Sequence, residues 1–262
     1  MIKTINNLGT TTIEAIEQIG RTFNLLLIIA WKIVQPPYRI FPIIKQIYFI
    51  GARSMTVILI SGATIGMVLG LQFYNTLERF GSVGVLGSAV ALSIIRELGP
   101  VMTALMVVGR AGSAICAELG IMRISEQIDA LECMAIAPDK YLVAPKLVAG
   151  ILSVPLLNFV FNVVAIGGGY FVGVILFGVA EGSYVNGMID SVLWSDVRLG
   201  LVKSLIFGLL IMLICCAKGF YMHLGKYGSQ GAEGVSRVTT DAVVISSVSV
   251  LFCDFLIGAL MS

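Results

Sequence analysis

Four charged side chains lie inside long apolar stretches of this 262-residue sequence: Arg96, Glu97, Lys203 and Asp254. Each would cost about 2.5–3.5 kcal/mol at the centre of a membrane helix on insertion scales, so such residues usually mark pairing or function. Lys203 and Asp254 have opposite charges and lie at a similar depth, roughly 6–12 Å from the same membrane boundary. We therefore predict that they pair, in either a structural or a functional role.

Arg96 and Glu97 are consecutive, so their side chains point about 100° apart on a helix and cannot simply neutralise each other. Gly99 and Pro100 follow directly, and a proline in a helix interior kinks the helix or frees backbone groups. Adjacent charges beside such a break, with Arg96 roughly 16 Å inside its span, favour the lining of a cavity over plain packing.

An apolar stripe on the preceding span could form the opposite wall of this cavity. Its members recur at intervals of four, four and three residues and share one helix face: Leu69, Phe73, Leu77 and Phe80. Such a cavity would suit an amphiphile, with acyl chains along the stripe and a polar head near Arg96 or Lys203. Ordinary lipid-facing or interhelical packing is the alternative.

A second candidate surface lies in the segment 117–136, which we predict to be one amphipathic helix in a cytoplasmic loop. Its acidic face carries Glu126, Asp129 and Glu132. Helices that lie on membranes usually carry Lys or Arg there, so the acidic face favours docking on a soluble partner. The sequence has no G-x-x-x-x-G-K-[ST] phosphate loop, so a nucleotide-driven process would need an ATPase subunit from elsewhere.

Other chemistries find little support. The five cysteines form no C-x-x-C pair, and His223 is the only histidine, so we predict no metal site, no catalytic triad and no cofactor. A net charge of +2 gives no bulk basic signal for nucleic acid.

The elements that must position these residues are membrane helices. Apolar residues make up 58% of the chain and charged residues 12%, against about 25% charged in soluble domains. We predict a single all-α integral membrane domain over 1–262, with an interfacial segment 1–50 and five transmembrane helices: 54–77, 85–108, 147–180, 199–217 and 242–261. In the first, Gly62, Gly66 and Gly70 repeat at spacing four, which lets another helix approach closely.

Two features of this topology leave alternatives. Residues 15–50 are predicted as an interfacial elbow, with a sixth span as the alternative, and 147–180 is long for one helix but short for two. A single crossing puts most of the seventeen basic residues on one side: Lys3, Arg21, Lys32, Arg39, Lys45, Arg53, Arg110, Arg123, Lys140, Lys146, Lys218, Lys226 and Arg237. The positive-inside rule then favours five spans with the N-terminus cytoplasmic and the C-terminus outside.

Several separated motifs carry a family resemblance. RELGPVMTALMVVGRAGSAICAELGIMRISEQIDALECMAIAPDKYLVAPK (96–146), AGILSVPLL (149–157), GAEGVSRVTT (231–240) and DFLIGALM (254–261) occur in this order. The chain thereby resembles the MlaE/YrbE family of ABC-transporter permeases. The resemblance implies a homodimer in the bacterial inner membrane, with a cytoplasmic ATPase that binds the ATP, an MCE-domain substrate-binding protein and a STAS-domain subunit. The implied function is phospholipid movement between inner and outer membranes, which maintains outer-membrane lipid asymmetry, by a permease without catalysis of its own.

The resemblance also implies roles for residues. A lipid pocket at the dimer interface would include Leu69, Leu77, Phe80, Arg96, Glu97 and Leu98. The helix that couples to the ATPase would carry Glu118, Glu126, Asp129 and Glu132, with Leu131 on its apolar side.

Three other functions compete with this one. A permease for sterols or fatty acids would share the architecture, and an ion-coupled secondary transporter would use the intramembrane charges for proton coupling. An intramembrane enzyme is disfavoured, because no metal or nucleophile motif accompanies the lone His223.

Overall fold

The computed structural model describes residues 16–29, 31–32, 40–224 and 231–261, and the described elements are all helical. Five helical stretches are long and apolar enough to cross a membrane, and we number them spans 1 to 5: Ile40–Arg79, Val83–Ile124, Asp139–Leu176, Trp194–Phe220 and Gly231–Met261. This confirms the predicted all-α membrane fold with five spans.

Span 1 begins with a short helix, Ile40–Ile50, and a 3-10 turn, Ala52–Ser54, before the main helix Met55–Arg79. Arg110 of span 2 holds this turn, because its Nη1 donates hydrogen bonds to the Phe49 carbonyl and to Ser54 Oγ, both at 2.9 Å. Of the predicted interfacial segment, residues 16–29 and 40–50 are helical, and the stretches 1–15 and 33–39 lie outside the described residues.

Span 2 is one long helical stretch interrupted by two π-helical segments. It runs through Val83–Val85 (3-10), Leu86–Ser93, Ile94–Leu98 (π), Gly99–Val107, Val108–Gly112 (π) and Ser113–Ile124. The first π segment accommodates Pro100, which has no N–H to donate: Gly99 N bonds instead to the carbonyl of Ile94, five residues back. The helix continues through both π segments to Ile124, well beyond the predicted end of this span at residue 108.

The prediction of a single helix over 117–136 is wrong. Residues up to Ile124 continue span 2, and a separate loop helix occupies Gln127–Cys133. Glu126 stands between them in a left-handed conformation, φ +57°, which a right-handed helix cannot continue through. The apolar side of the helix predicted over 117–136 is consequently divided: Ile128 is fully buried, whereas Ile121 is exposed.

Span 3 crosses once, through Asp139–Val143 (π), Ala144–Tyr170 and Phe171–Leu176 (π). The run of glycines at 167–169 lies inside this helix rather than at a turn, and Gly178, with φ +70°, follows its end. A short helix, Glu181–Ser191, leads to span 4, which is followed by the 3-10 turn Met222–Leu224. Spans 4 and 5 both begin earlier than the predicted 199 and 242.

Span 3 is the central packing element, in contact with spans 1, 2 and 4. Gly62, Gly66 and Gly70 of span 1 face it. A β-carbon at Gly66 would lie 1.9 Å from the Ala165 carbonyl oxygen, and one at Gly62 would lie 3.3 Å from that of Phe161. At Gly70 the distance to the α-carbon of Gly169 would be 3.1 Å. Close approach of two backbones is what small residues provide between membrane helices.

The five crossings place the connections at two ends of the bundle. One end, which we name the loop end, holds the loop helix and Met222–Leu224. The other, the turn end, holds the turn 80–82 and the helix Glu181–Ser191. Buried Tyr184 anchors that short helix by donating a hydrogen bond to the Ile166 carbonyl at 3.2 Å, and burial raises the pKa of its phenol to about 12.

Replacing Gly66 by alanine tests this packing. We expect Gly66→Ala to destabilise the chain by about 1–3 kcal/mol, because the new methyl group overlaps the backbone of span 3. Gly167→Ala is the matched control, because a β-carbon there meets nothing within 4 Å. Helix propensity alone should leave the stability of this variant unchanged or slightly raised. Thermal unfolding in detergent compares the two variants, and equal midpoints would contradict the close contact.

Candidate functional site

The centre of the candidate site is Lys203, whose side chain is completely buried in span 4. Its Nζ donates a hydrogen bond of 2.5 Å to Glu97 Oε2 of span 2. It also lies 2.9 Å from Asp254 Oδ1 of span 5, and these two groups form an ion pair without hydrogen-bond geometry. One lysine therefore connects three spans.

Lys203 and Asp254 are in contact, as predicted from their depth. Glu97 was not predicted to join them, because it was assigned to a cavity wall with Arg96. The π segment Ile94–Leu98 sets the direction in which Glu97 points, and its register cannot be read from sequence spacing.

Arg96 takes a different partner from its neighbour, in keeping with the angle between their side chains. Its Nε lies 3.7 Å from Asp196 Oδ1 in the first turn of span 4. Asp196 Oδ2 also accepts a hydrogen bond from the Leu193 backbone N–H at 3.0 Å, so this carboxylate caps the start of the helix. Asp196 lies outside the predicted span 199–217, although an acidic residue in a first helical turn is a recognisable signal.

The charged cluster, defined as Arg96, Glu97, Asp196, Lys203 and Asp254, is buried at its core and open at its edge. Lys203 is fully enclosed, but the side chains of Glu97 and Arg96 are 49% and 40% exposed on the surface of the bundle. Lipid tails offer no hydrogen bonds to half-exposed charges, so such residues in spans face a bundle interior or an aqueous cavity. This edge must therefore face water, a polar headgroup or another polypeptide.

The apolar stripe of span 1 is only partly available as a wall. Leu69, Phe73 and Leu77 are half-buried and pack against the core, which is the ordinary interhelical packing considered as the alternative. Phe80 alone projects outward, with 77% of its surface exposed. Leu98 is half-buried beside Glu97 in the π segment.

The acidic residues predicted to couple to an ATPase are divided by the break at Glu126. Glu118 belongs to span 2 and bonds to the buried Lys146 of span 3 at 2.5 Å. Asp129 of the loop helix bonds to Arg123 at 2.7 Å. Glu126 and Glu132 are exposed, so they are the acids of this set with the surface most open to a partner.

The loop helix is fixed to the bundle by buried and polar contacts. Ile128 is fully buried and Leu131 packs against the core. Arg123 also donates a hydrogen bond from Nε to His223 Nδ1 at 2.8 Å. Burial, followed by the positive charge of Arg123, lowers the pKa of His223, which keeps the imidazole neutral and able to accept.

A cavity of about 440 Å³ opens at the loop end beside this helix. Leu25 and Tyr221 supply part of its lining, and Glu132 lies at its rim together with Lys32 and Asp139. The last two form an ion pair at 2.5 Å, which ties the N-terminal region to the start of span 3. The loop end therefore offers a concave, partly acidic surface held by fixed elements.

Comparisons with known proteins give matches over most or all of the chain. A sequence profile of the family described as Permease MlaE matches residues 43–260. The intermembrane phospholipid transport system permease protein MlaE of Haemophilus influenzae is 40% identical over 264 residues, covering all of this chain and 98% of that protein. A probable ABC transporter permease protein of Rickettsia bellii is 38% identical, covering 99% and 98%. The chloroplastic protein TRIGALACTOSYLDIACYLGLYCEROL 1 of Arabidopsis thaliana is 32% identical, covering 82% and 60%.

Removing the positive charge tests the buried cluster. We expect Lys203→Met to destabilise the protein by about 3–5 kcal/mol, because Glu97 and Asp254 would then face each other without a cation. The triple variant Glu97→Gln, Lys203→Met, Asp254→Asn should recover much of this loss, since it leaves no charge unpaired there. Thermal unfolding in detergent reports both effects. A single variant as stable as the unmodified chain would contradict the buried ion pairs.

Proposed function

Because the chain belongs to the MlaE permease family, we propose that it is the membrane-spanning permease of an ABC-type complex that moves phospholipid between the inner and outer membranes of a bacterial cell and so maintains outer-membrane lipid asymmetry. The observation that carries this proposal is the open edge of the charged cluster. An apolar bundle that presents a half-exposed arginine and glutamate at the level of its spans suits a ligand with both a charged head and apolar tails.

Arg96 is the proposed contact for the headgroup phosphate. A guanidinium binds phosphate oxygens through two parallel hydrogen bonds, and such contacts are stronger than those between neutral groups. Its present partner, Asp196, is 3.7 Å away, which is a loose ion pair that a phosphate could replace. Glu97 would then stay with Lys203, keeping the interior charge compensated while the headgroup occupies the edge.

A second copy of the chain is the proposed cover for this edge. Span 5 carries Asp254 and is the span with the smallest buried share, and it exposes apolar side chains such as Val248, Leu251 and Phe255. A homodimer that joins these faces would enclose the charged edge between two bundles and leave apolar walls for acyl chains. Symmetric pairing of one surface with itself is the commonest arrangement of soluble homo-oligomers, and we extend it to this membrane chain.

The loop end is the proposed docking site of a separate ATPase subunit, which would bind and hydrolyse the ATP. Exposed Glu126 and Glu132 suit a basic surface on that partner, and buried Ile128 makes the loop helix rigid enough to transmit its movement. We propose that this end is cytoplasmic and the C-terminus periplasmic, with the protein in the inner membrane. Trp194, exposed at the turn end, fits the aromatic belt of the opposite boundary. An MCE-domain protein and a STAS-domain subunit complete the proposed complex on the family resemblance.

Mass spectrometry of lipid that co-purifies with the chain tests the substrate class. We expect phospholipid to co-purify with the unmodified chain, and less of it to co-purify with the Arg96→Ala variant. Sterol or fatty acid without phospholipid would overturn the proposed substrate. Transport by the chain alone, driven by an ion gradient without an ATPase, would overturn the proposed permease role.

The edge of the cluster should matter for transport more than for assembly. We expect Arg96→Ala and Glu97→Ala to reduce phospholipid transfer between vesicles by roughly tenfold or more, since a lost charge-assisted contact is worth about 1.5–3 kcal/mol. Arg198→Ala and Glu78→Ala are matched controls at exposed positions of spans 4 and 1. Co-purification of the other subunits checks assembly, and full transport in both edge variants would refute a role for this edge.

Charge reversal at the loop end tests the docking site. The double variant Glu126→Lys, Glu132→Lys should weaken association with the ATPase, because it places positive charge against a basic surface. Asp129 is left unchanged, since it holds Arg123. The control Glu181→Lys, Asp190→Lys reverses two exposed acids at the turn end. Pull-down of the ATPase measures both, and equal recovery with the loop-end variant would remove the docking role.

A further inference from the structure

A second polar group lies between spans 2 and 3, apart from the charged cluster. Thr103 Oγ1, Asn158 Oδ1 and Asn162 Oδ1 are buried and have no hydrogen-bond partner among the described residues. Thr103 is 0%, Asn158 3% and Asn162 9% exposed. Buried polar atoms in native proteins nearly always have a partner, and in a membrane no bulk water is available to supply one. These three oxygens therefore point to an additional ligand.

The two asparagine oxygens converge on the backbone of Gly99. A β-carbon added there would lie 1.9 Å from Asn162 Oδ1, 3.0 Å from Asn158 Oδ1 and 2.7 Å from the Ile94 carbonyl oxygen. Asn158 and Asn162 are one turn apart on span 3, and Thr103 follows Gly99 by one turn on span 2. Two side-chain oxygens of span 3 and one backbone carbonyl of span 2 are thus gathered at one level of the bundle, and Thr103 lies one turn along the same face of span 2.

The π segment explains why a carbonyl is present among them. Ile94 O accepts a hydrogen bond from Gly99 N, and a carbonyl oxygen has a second lone pair that can face a ligand. Membrane transporters bind Na⁺ at such interruptions, where irregular helical carbonyls and polar side chains line a site. Irregular backbone at membrane depth is tolerated only inside protein or at a cavity, and this segment packs between spans 3 and 4.

The local charge also favours a cation. The neighbouring cluster holds three carboxylates and two basic groups, which is a formal excess of one negative charge. Glu97, a member of that cluster, is two residues from Gly99. In a low-dielectric interior, an uncompensated charge close to a bound ion of opposite sign interacts strongly with it.

We propose that Thr103, Asn158, Asn162 and the Ile94 carbonyl bind one small monovalent cation of the Na⁺ class. All four ligands are neutral oxygens, whereas protein sites for Ca²⁺ and Mg²⁺ are built mainly from carboxylates. One water molecule could donate to both asparagine oxygens and accept from the Thr103 hydroxyl, so hydrogen bonding alone suits water as well. The negative excess of the neighbouring cluster favours the cation, which all four oxygens can share. This site goes beyond the proposed phospholipid permease and does not depend on it.

Cation-dependent stability of the purified full chain tests the site. NaCl is titrated against choline chloride at constant ionic strength, and the thermal unfolding midpoint is followed in detergent. A bound cation stabilises the folded state by mass action, so we expect the midpoint to rise with Na⁺. Asn162→Leu and Asn158→Leu should lose this rise. Asn162→Asp should lower the half-saturating Na⁺ concentration roughly tenfold or more, because ligand charge raises cation affinity.

Ser204→Ala is the matched control, since Ser204 is also buried in the bundle but its hydroxyl donates to the Leu201 carbonyl. It should keep the full response to Na⁺. Equal midpoints of the unmodified chain in NaCl and choline chloride would overturn the proposal and indicate bound water only. The same rise in Asn162→Leu would also overturn it. If the leucine variants do not fold, the Thr103→Val and Asn162→Asp variants provide the test instead. An unchanged half-saturating Na⁺ concentration in both would contradict the site.

Discussion

Enclosing the charge of Lys203 in an apolar bundle is the constraint on which the rest of the site depends. An ion taken from water into a low-dielectric interior carries a penalty of several kcal/mol, and only well-placed opposite charges offset it. Glu97 and Asp254 provide these charges from spans 2 and 5, so span 4 is tied to both neighbours at one level. The second carboxylate exceeds what one lysine neutralises, and the side chains of Glu97 and Arg96 reach the surface. Burial at the core thereby produces the polar edge at which a lipid headgroup is proposed to bind.

Backbone irregularity makes this arrangement possible. Pro100 removes a donor from span 2, and the π segment before it shifts the register so that Arg96 meets Asp196 while Glu97 meets Lys203. The segment also needs a close neighbour, because a β-carbon at Gly200 of span 4 would lie 2.5 Å from the Ile95 carbonyl oxygen. On the other side of the bundle, the glycines of span 1 let span 3 approach by the same means. The spans are therefore held by backbone contacts where side chains are absent and by ion pairs where charges are buried.

The sequence predicted those parts of the structure that follow from local rules. Apolar runs and the positive-inside rule predicted five spans, and matching depth predicted contact between Lys203 and Asp254. The third partner, Glu97, could not be predicted, since the register of a π segment is set by tertiary packing. The break at Glu126 could not be predicted, because a left-handed glutamate has no sequence signature. The group at Asn158 and Asn162 could not be predicted for another reason: neutral amide oxygens carry no ligand signature in a sequence and become a site only when packing gathers them.

Photocrosslinking at the edge of the charged cluster tests the central claim most directly. A photoreactive amino acid replaces Leu98 in the full chain, reconstituted in vesicles of phospholipid with a labelled headgroup, and a second variant carries it at Val163, which is exposed on span 3 away from the proposed dimer face. If the edge binds a headgroup, labelled phospholipid is captured at position 98, and Arg96→Ala reduces that capture but leaves capture at position 163 unchanged. Equal capture at both positions, insensitive to Arg96→Ala, would contradict the claim that this charged edge receives phospholipid.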